Sequence, residues 1–225
     1  AASDVYKRQL KHKGVSMDSR EQIEDKILCG QPFRPIEDPD LYYEMMEAAE
    51  KCHDLNQLRP LQTAEKQAVM ADLLGELGER LMVFLPFHVQ YGSKIKVGDG
   101  VTFNRGTTVL DMAPVTFGNE VMVGPWCSFF AGNHALDPVE RQYMVCTGGA
   151  ITIQDHVWLG GNCTVTAGVT IGHGAVIGAG SVVTRDIPPM VLAAGNPCRV
   201  IRDIGPEDKL MGESWVPEWP SWITD

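Results

Sequence analysis

The chain of 225 residues is 44% hydrophobic and 21% charged, with a formal net charge of -10. That balance excludes disorder and collagen and leaves enough apolar material for a real core. The negative charge argues against nucleic acid as a partner, because phosphate binding needs Lys and Arg clustered on one face. No apolar run approaches the roughly 20 residues of a membrane span, and no secretory pattern opens the chain, so a cytoplasmic protein without a membrane partner is expected.

Residues 1–16 carry Lys7, Arg8, Lys11 and Lys13 ahead of Met17 and read as a leader or non-native extension. Residues 17–80 read as a small helical head. Ile23, Ile27 and Leu28 fall at helical spacing within 18–29, and Gly30 stands where a left-handed C-terminal cap belongs. After a proline-rich link, Asp38 or Asp40 caps a second helix through about Leu55, with Leu41, Met45, Ala48 and Ala49 as its apolar stripe. Thr63 starts a third helix expected to reach about Leu77. Three such helices are too short to bury a core alone and should pack on the rest of the chain.

The region beyond the head is periodic. Between Gly92 and Gly195 lie 17 of the 23 glycines, and no lysine occurs from 97 to 208. Ile153, Leu159, Val165, Ile171, Ile177 and Val183 recur every six residues, a coincidence of about 0.7% per frame at this hydrophobic content. Four residues after each of the first five stands a small or β-branched residue: Val157, Cys163, Val169, Ala175 and Ser181. Gly160, Gly172 and Gly178 directly follow an axial residue and are assigned to turn conformations that a Cβ forbids. The template also fits Val97, Phe103 and Val109, then, after a two-residue slip, Phe117, Val123 and Phe129, with Val101, Thr107, Ala113, Val121 and Cys127 as the small positions. Neither the helical period of 3.6 nor the strand period of 2 gives six. Short strands joined by tight turns, one axial side chain per repeat, make a solenoid over 81–204. The frame fails between Phe129 and Ile153, so 132–149 should be extruded as a loop. Residues 205–225, with three of the five tryptophans, form a Trp-rich tail.

The repeats resemble the left-handed parallel β-helix of hexapeptide-repeat acyltransferases; the handedness comes from the family, since the general crossover rule favours the right hand. The stretches FNRGTTVLDMAPVTFG, AGNHALDPVERQ, ITIQDHVWLGG, VIGAGSVVTRDIPP and AAGNPCRVIR, with the head opening at GQPF, narrow the likeness to the maltose and galactoside O-acetyltransferase branch. It covers about residues 20–204. The resemblance implies an acetyl-CoA-dependent O-acetyltransferase, a homotrimer with sites in the clefts between subunits, and direct transfer to a small hydroxylated acceptor without an acyl-enzyme or a metal.

His134, in the one loop that interrupts the repeats, matches the family's catalytic histidine and is assigned as general base. Asn104 matches an asparagine beside the reacting centre, where a carboxamide donates without titrating; a turn role is the alternative. Asp111 matches an acidic position after the same strand, with a structural turn equally open. For coenzyme A, the lysine-free stretch leaves Arg185, Arg199 and Arg202 to meet phosphates, against the alternative of solvated charges. The likeness adds Gly161, Ala179 and Thr184 along the pantetheine arm and Trp158 as a wall. Phe129, Phe130 and Trp126 suit an interface or acceptor pocket, or the core. Two departures concern the acceptor. Pro35 stands where the family has a sugar-binding acid, leaving Glu37 or Asp38 as substitutes, and no arginine occurs between Arg34 and Arg59. Acetylation of an antibiotic hydroxyl or an amine, and a silent β-helix scaffold, are the rival readings. A zinc site of the γ-class carbonic anhydrase kind lacks its histidine spacing among His88, His134, His156 and His173. The six scattered cysteines read as reduced and mostly buried.

Overall fold

The computed structural model describes residues 20–211; the expected leader and the three tail tryptophans lie outside the described residues. The head contains α1 (Arg20–Leu28), α2 (Pro39–Gln57) and α3 (Thr63–Leu73). Ile23 and Ile27 are buried, whereas Leu28 is 67% exposed, because it lies about 100° around the helix from Ile27. Gly30 adopts φ 65° and closes α1, with Gln31 N–H donating to the Lys26 carbonyl at 2.8 Å. The third helix stops four residues earlier than the sequence suggests. At Gly75 the chain runs so close to the next coil that a Cβ would lie 2.1 Å from the Ser93 carbonyl oxygen, and Glu76 and Leu77 join a sheet instead.

Five coils follow, each of three short strands. They are β1 (Glu76–Leu77), β2 (Met82–Val83) and β3 (Phe87–Val89); β4 (Ile95–Val97), β5 (Thr102–Phe103) and β6 (Thr107–Leu110); β7 (Val115–Phe117), β8 (Met122–Val123) and β9 (Ser128–Phe130). After the inserted β10 (Gly132–His134), α4 (Pro138–Gln142) and β11 (Cys146–Gly148) come β12 (Ile151–Ile153), β13 (Trp158–Leu159) and β14 (Thr164–Thr166), then β15 (Thr170–Ile171), β16 (Val176–Ile177) and β17 (Val182–Val183). A partial sixth coil adds β18 (Val191–Ala194), and β19 (Arg199–Asp203) folds back antiparallel on it.

Corresponding strands stack in parallel into three faces of a parallel β-helix: face one is β1-β4-β7-β12-β15, face two is β2-β5-β8-β13-β16-β18, and face three is β3-β6-β9-β14-β17. The axial residues from Val97 to Val183 are at most 3% exposed, and the small positions from Val101 to Ser181 at most 2%. Phe87, Phe103, Phe117 and Phe129 run through this core as neighbouring tilted and edge-on rings with centroids 4.9–5.2 Å apart, contacts worth about 0.5–1.5 kcal/mol each beyond burial.

The glycines after axial residues have a different cause from the one expected. Left-handed backbone occurs at the corners instead, at Arg80, Gly100, Glu120, His156, Gly174 and Met190 between faces one and two, and at Gly106, Trp126, Asn162 and Gly180 between faces two and three. Gly160 and Gly172 are required by proximity: a Cβ at Gly160 would lie 2.7 Å from Ala179 N, and one at Gly172 2.4 Å from Pro189 N. Among the described residues no helix is long and apolar enough to cross a membrane.

Candidate functional site

The inserted segment is a built element rather than an open loop. β10 and β11 pair antiparallel, with Gly132 opposite Gly148, Asn133 opposite Thr147 and His134 opposite Cys146. At its tip Asp137 caps α4, its carboxylate accepting from Val139 N–H and Glu140 N–H at 2.9 Å. Arg141 donates to the carbonyls of Ala135 and Leu136 at 3.1 and 2.9 Å. The head clamps the ribbon's outer end, on the side of the tip helix: Phe33 and Cys146 exchange both backbone hydrogen bonds, at 3.0 and 2.8 Å, and Arg34 Nε donates to the Tyr143 carbonyl at 3.0 Å.

On this support the His134 side chain is exposed, and its Nδ1 lies 3.4 Å from the Cys146 sulfur. Cys146 is itself buried, and burial pushes its thiol pKa up. All six cysteines are free, and only Cys29 is exposed.

Asn104 follows β5 at the corner between faces two and three. Its Oδ1 accepts from Arg105 N–H at 2.9 Å, and its backbone carbonyl accepts from the Thr107 hydroxyl at 2.7 Å. The carboxamide oxygen is thus held by the corner, with the Nδ2 hydrogens as the group that can donate outward. Gly161 and Ala179 occupy the same edge two and three coils later, and Trp158, 51% exposed, stands beside them on face two. Thr184 and Arg185 instead follow β17 at the opposite edge of face three, the edge from which the His134 ribbon springs. Within one chain, then, the candidate residues divide between the two edges of face three.

The arginines differ in their freedom. Arg202 is engaged in a bidentate pair with Asp208 at 2.6 and 2.8 Å, which holds the Asp208 carboxyl down at about 2. Arg199 donates to its neighbour's carbonyl, that of Cys198, at 2.7 Å. Arg185 is exposed.

The three acidic candidates each have partners within the chain, and for Asp38 that contact is the helix cap expected of it. Asp111 is fully buried; its Oδ1 accepts from Gln90 N–H and Tyr91 N–H at 3.1 and 2.8 Å, and its Oδ2 from Lys94 N–H at 3.4 Å. That is the structural turn, joining two successive corners, rather than an acceptor contact. Asp38 is the N-cap of α2, its Oδ1 accepting from Asp40 N–H at 2.9 Å, and it is only 6% exposed. Glu37 pairs with Arg34 at 2.8 Å. Of the aromatics, Phe129 belongs to the core, while Trp126 is 58% exposed with its ring over Gly106. Among the described residues no group of three His, Cys, Asp or Glu is placed to hold a metal ion. Sequence reasoning missed the His134–Cys146 contact; its only signal there is that both residues lie inside the stretch where the repeat fails.

Two family models match the chain: the maltose acetyltransferase hexapeptide capping motif over residues 26–78 and the bacterial transferase hexapeptide, six repeats, over 150–185. A protein of Saccharomyces cerevisiae named as an acetyltransferase is 38% identical over 184 residues, covering 82% of this chain and 94% of the relative. The galactoside O-acetyltransferase of Escherichia coli is 36% identical over 157 residues, 70% of this chain and 77% of the relative. Among solved structures, a hexapeptide-repeat acetyltransferase from Vibrio cholerae complexed with acetyl coenzyme A is 36% identical with TM-score 0.75, covering 81% and 98% of the two chains. A galactoside acetyltransferase in complex with coenzyme A superposes with TM-score 0.80 at 30% identity, covering 87% and 98%.

Proposed function

The chain belongs to the hexapeptide-repeat acetyltransferases, and from that premise we propose that it moves the acetyl group of acetyl-CoA to a hydroxyl of a sugar or sugar-like acceptor, with His134 as general base. The observation that carries the reading is an exposed imidazole on a ribbon braced by the head at Phe33 and Arg34. Loops fixed on a rigid scaffold in this way are where catalytic groups concentrate. In the proposed reaction Nε2 takes the acceptor proton as its oxygen attacks the thioester carbonyl, the tetrahedral oxyanion is met by the Asn104 carboxamide, and the departing coenzyme A thiolate recovers the proton from the imidazolium.

The division of candidates between two edges supports a homotrimer. The ribbon on one edge of a subunit would face the edge of a neighbour that bears Asn104, Gly161 and Ala179, with Trp158 as a wall. Arg185, Arg199 and Arg202 are proposed to meet the coenzyme A phosphates, Arg202 by exchanging Asp208 for a phosphate, and Thr184 to line the pantetheine arm. Family relatives bound to acetyl coenzyme A or coenzyme A favour the donor. The galactoside O-acetyltransferase relative favours a sugar.

Labelled-acetyl transfer against sugars, aminoglycosides and amines tests the acceptor class. With the acceptor that turns over fastest, His134→Ala should lower kcat by about 10²- to 10⁴-fold with the circular dichroism and assembly state unchanged. Near-normal turnover in that variant would sink the assignment.

A further inference from the structure

We propose that Cys146 is a positioning residue for His134: its thiol accepts a hydrogen bond from His134 Nδ1–H and donates one to the Met144 carbonyl, which leaves Nε2 unprotonated and open to the acceptor. This rests on His134 being the general base. The two residues are direct partners across β10 and β11, so their side chains leave the ribbon on the same side. The sulfur lies 3.4 Å from Nδ1 and 3.5 Å from the Met144 oxygen. Its place is fixed by the doubled backbone exchange with Phe33, at 3.0 and 2.8 Å.

A neutral imidazole and a thiol bring one proton each, and only two arrangements use the contact. If the thiol donates to Nδ1, the ring proton sits on Nε2, so there is no base and the thiol cannot also serve the Met144 carbonyl. If the thiol donates to that carbonyl, Nδ1–H donates to sulfur, two hydrogen bonds form instead of one, and Nε2 carries the lone pair. The second arrangement has more bonds and the tautomer that the reaction needs. Burial raises the thiol pKa and keeps the proton on sulfur, so no thiolate stands ready to attack the thioester. When Nε2 takes the acceptor proton, Nδ1–H still points at sulfur, and nothing else has to rearrange.

Cys146→Ala removes the acceptor without touching the backbone clamp. Cys146→Ser keeps a group that both accepts and donates. In the full-length protein, Cys146→Ala should lower kcat about 10- to 100-fold, the usual scale for losing the partner that orients a functional imidazole, with the KM for acetyl-CoA within about twofold. The nitrogen NMR signals of His134 should move from the Nδ1–H form toward a mixture. Cys146→Ser should restore both the rate and the tautomer. A Cys146→Ala protein with wild-type kcat and an unchanged tautomer overturns the positioning role, as does an acetyl group found on Cys146 by peptide mass spectrometry. His134→Ala separates the two readings. If it keeps normal turnover, the general base itself is wrong; if it is inactive while Cys146→Ala is fully active, only the role of Cys146 falls.

Discussion

Two kinds of edge in the β-helix carry one repeat with different tolerance. Between faces one and two, and between faces two and three, axial partners are six residues apart in every coil, as in Ile153, Leu159 and Val165. Between faces three and one the spacing is eight from Val89 to Val97 and from Val109 to Phe117, 24 from Phe129 to Ile153, six from Val165 to Ile171 and four from Val183 to Ile187. The strict edges carry ladders of left-handed corner residues, whereas the permissive edge carries the two-residue excess, the His134 ribbon and a buried cluster of ionisable groups. A solenoid that varies at one edge can gain a functional insertion without losing register elsewhere.

The sharpest way to break that distinction is to insert Gly-Ser at two corners of the same coil. Between Asp155 and His156 it would force eight residues into a strict edge and displace the left-handed His156, φ 59°. A loss of more than about 4 kcal/mol, or failure to fold, is expected there. Between Ala167 and Gly168 the same insertion restores the spacing of eight found two coils earlier, and stability should change by less than about 1 kcal/mol. Equal losses in chemical denaturation at the two corners would end the comparison.

The ionisable cluster on the permissive edge gives a pH signature. Tyr91 is 7% exposed, and burial, aided by the Asp111 charge, pushes its phenol up to about 12. Lys94 Nζ lies 4.3 Å from the centre of the Tyr91 ring, and burial lowers its pKa. An unfolded tyrosine ionises near about 10, so the folded state holds this proton more tightly. Its contribution, on the order of 2–3 kcal/mol, is complete below about pH 10 and is lost as the pH rises through about 12. Tyr91→Phe should remove this part of the alkaline fall in stability, read as denaturation midpoints across that window. If the variant falls in parallel with the parent protein, the cluster is not its source.

Much of the fold was legible because repetition makes burial periodic. The axial residues from Val97 to Val183 and the small positions beside them stand in the core where the six-residue frame puts them, and the extruded segment begins where that frame fails. The solenoid is expected from residue 81, but the axial places of Val83 and Val89 in its first coil escaped because the spacing of eight between Val89 and Val97 hides their continuity with the next. The short strand at Glu76–Leu77 escaped because it depends on a close approach of Gly75 to Ser93, which no periodicity records. The acidic residues were harder still. Asp38 reads as a helix cap because its donor, Asp40 N–H, lies two residues away, but Asp111 joins two corners through Gln90 N–H and Tyr91 N–H, 21 and 20 residues earlier and brought to it only by the fold, and the carboxylate looks the same in either role. The pairing of His134 with Cys146 is likewise a matter of cross-strand register, invisible until the ribbon's turn is known.

The smallest effect distinguishes the two reasons for glycine. Gly160, on a strict edge, has right-handed or extended backbone, but a Cβ there would lie 2.7 Å from Ala179 N and 3.1 Å from the Ile177 carbonyl oxygen. Both neighbours are backbone of the next coil and cannot swing aside, so Gly160→Ala has to push coils apart, at about 1–3 kcal/mol. Gly168, on the permissive edge, is the reverse case: φ is +82° and nothing stands within 4 Å of a Cβ. Gly168→Ala therefore loses only the conformational preference of an L residue in the left-handed region, roughly 1 kcal/mol. Asparagine, which tolerates that region better, should recover part of the loss at Gly168 and none at Gly160, where its larger side chain meets the same backbone. Denaturant midpoints of the four variants decide it. Rescue by asparagine at both positions, or at neither, would mean that proximity at Gly160 and left-handed geometry at Gly168 are not separate reasons for the two glycines.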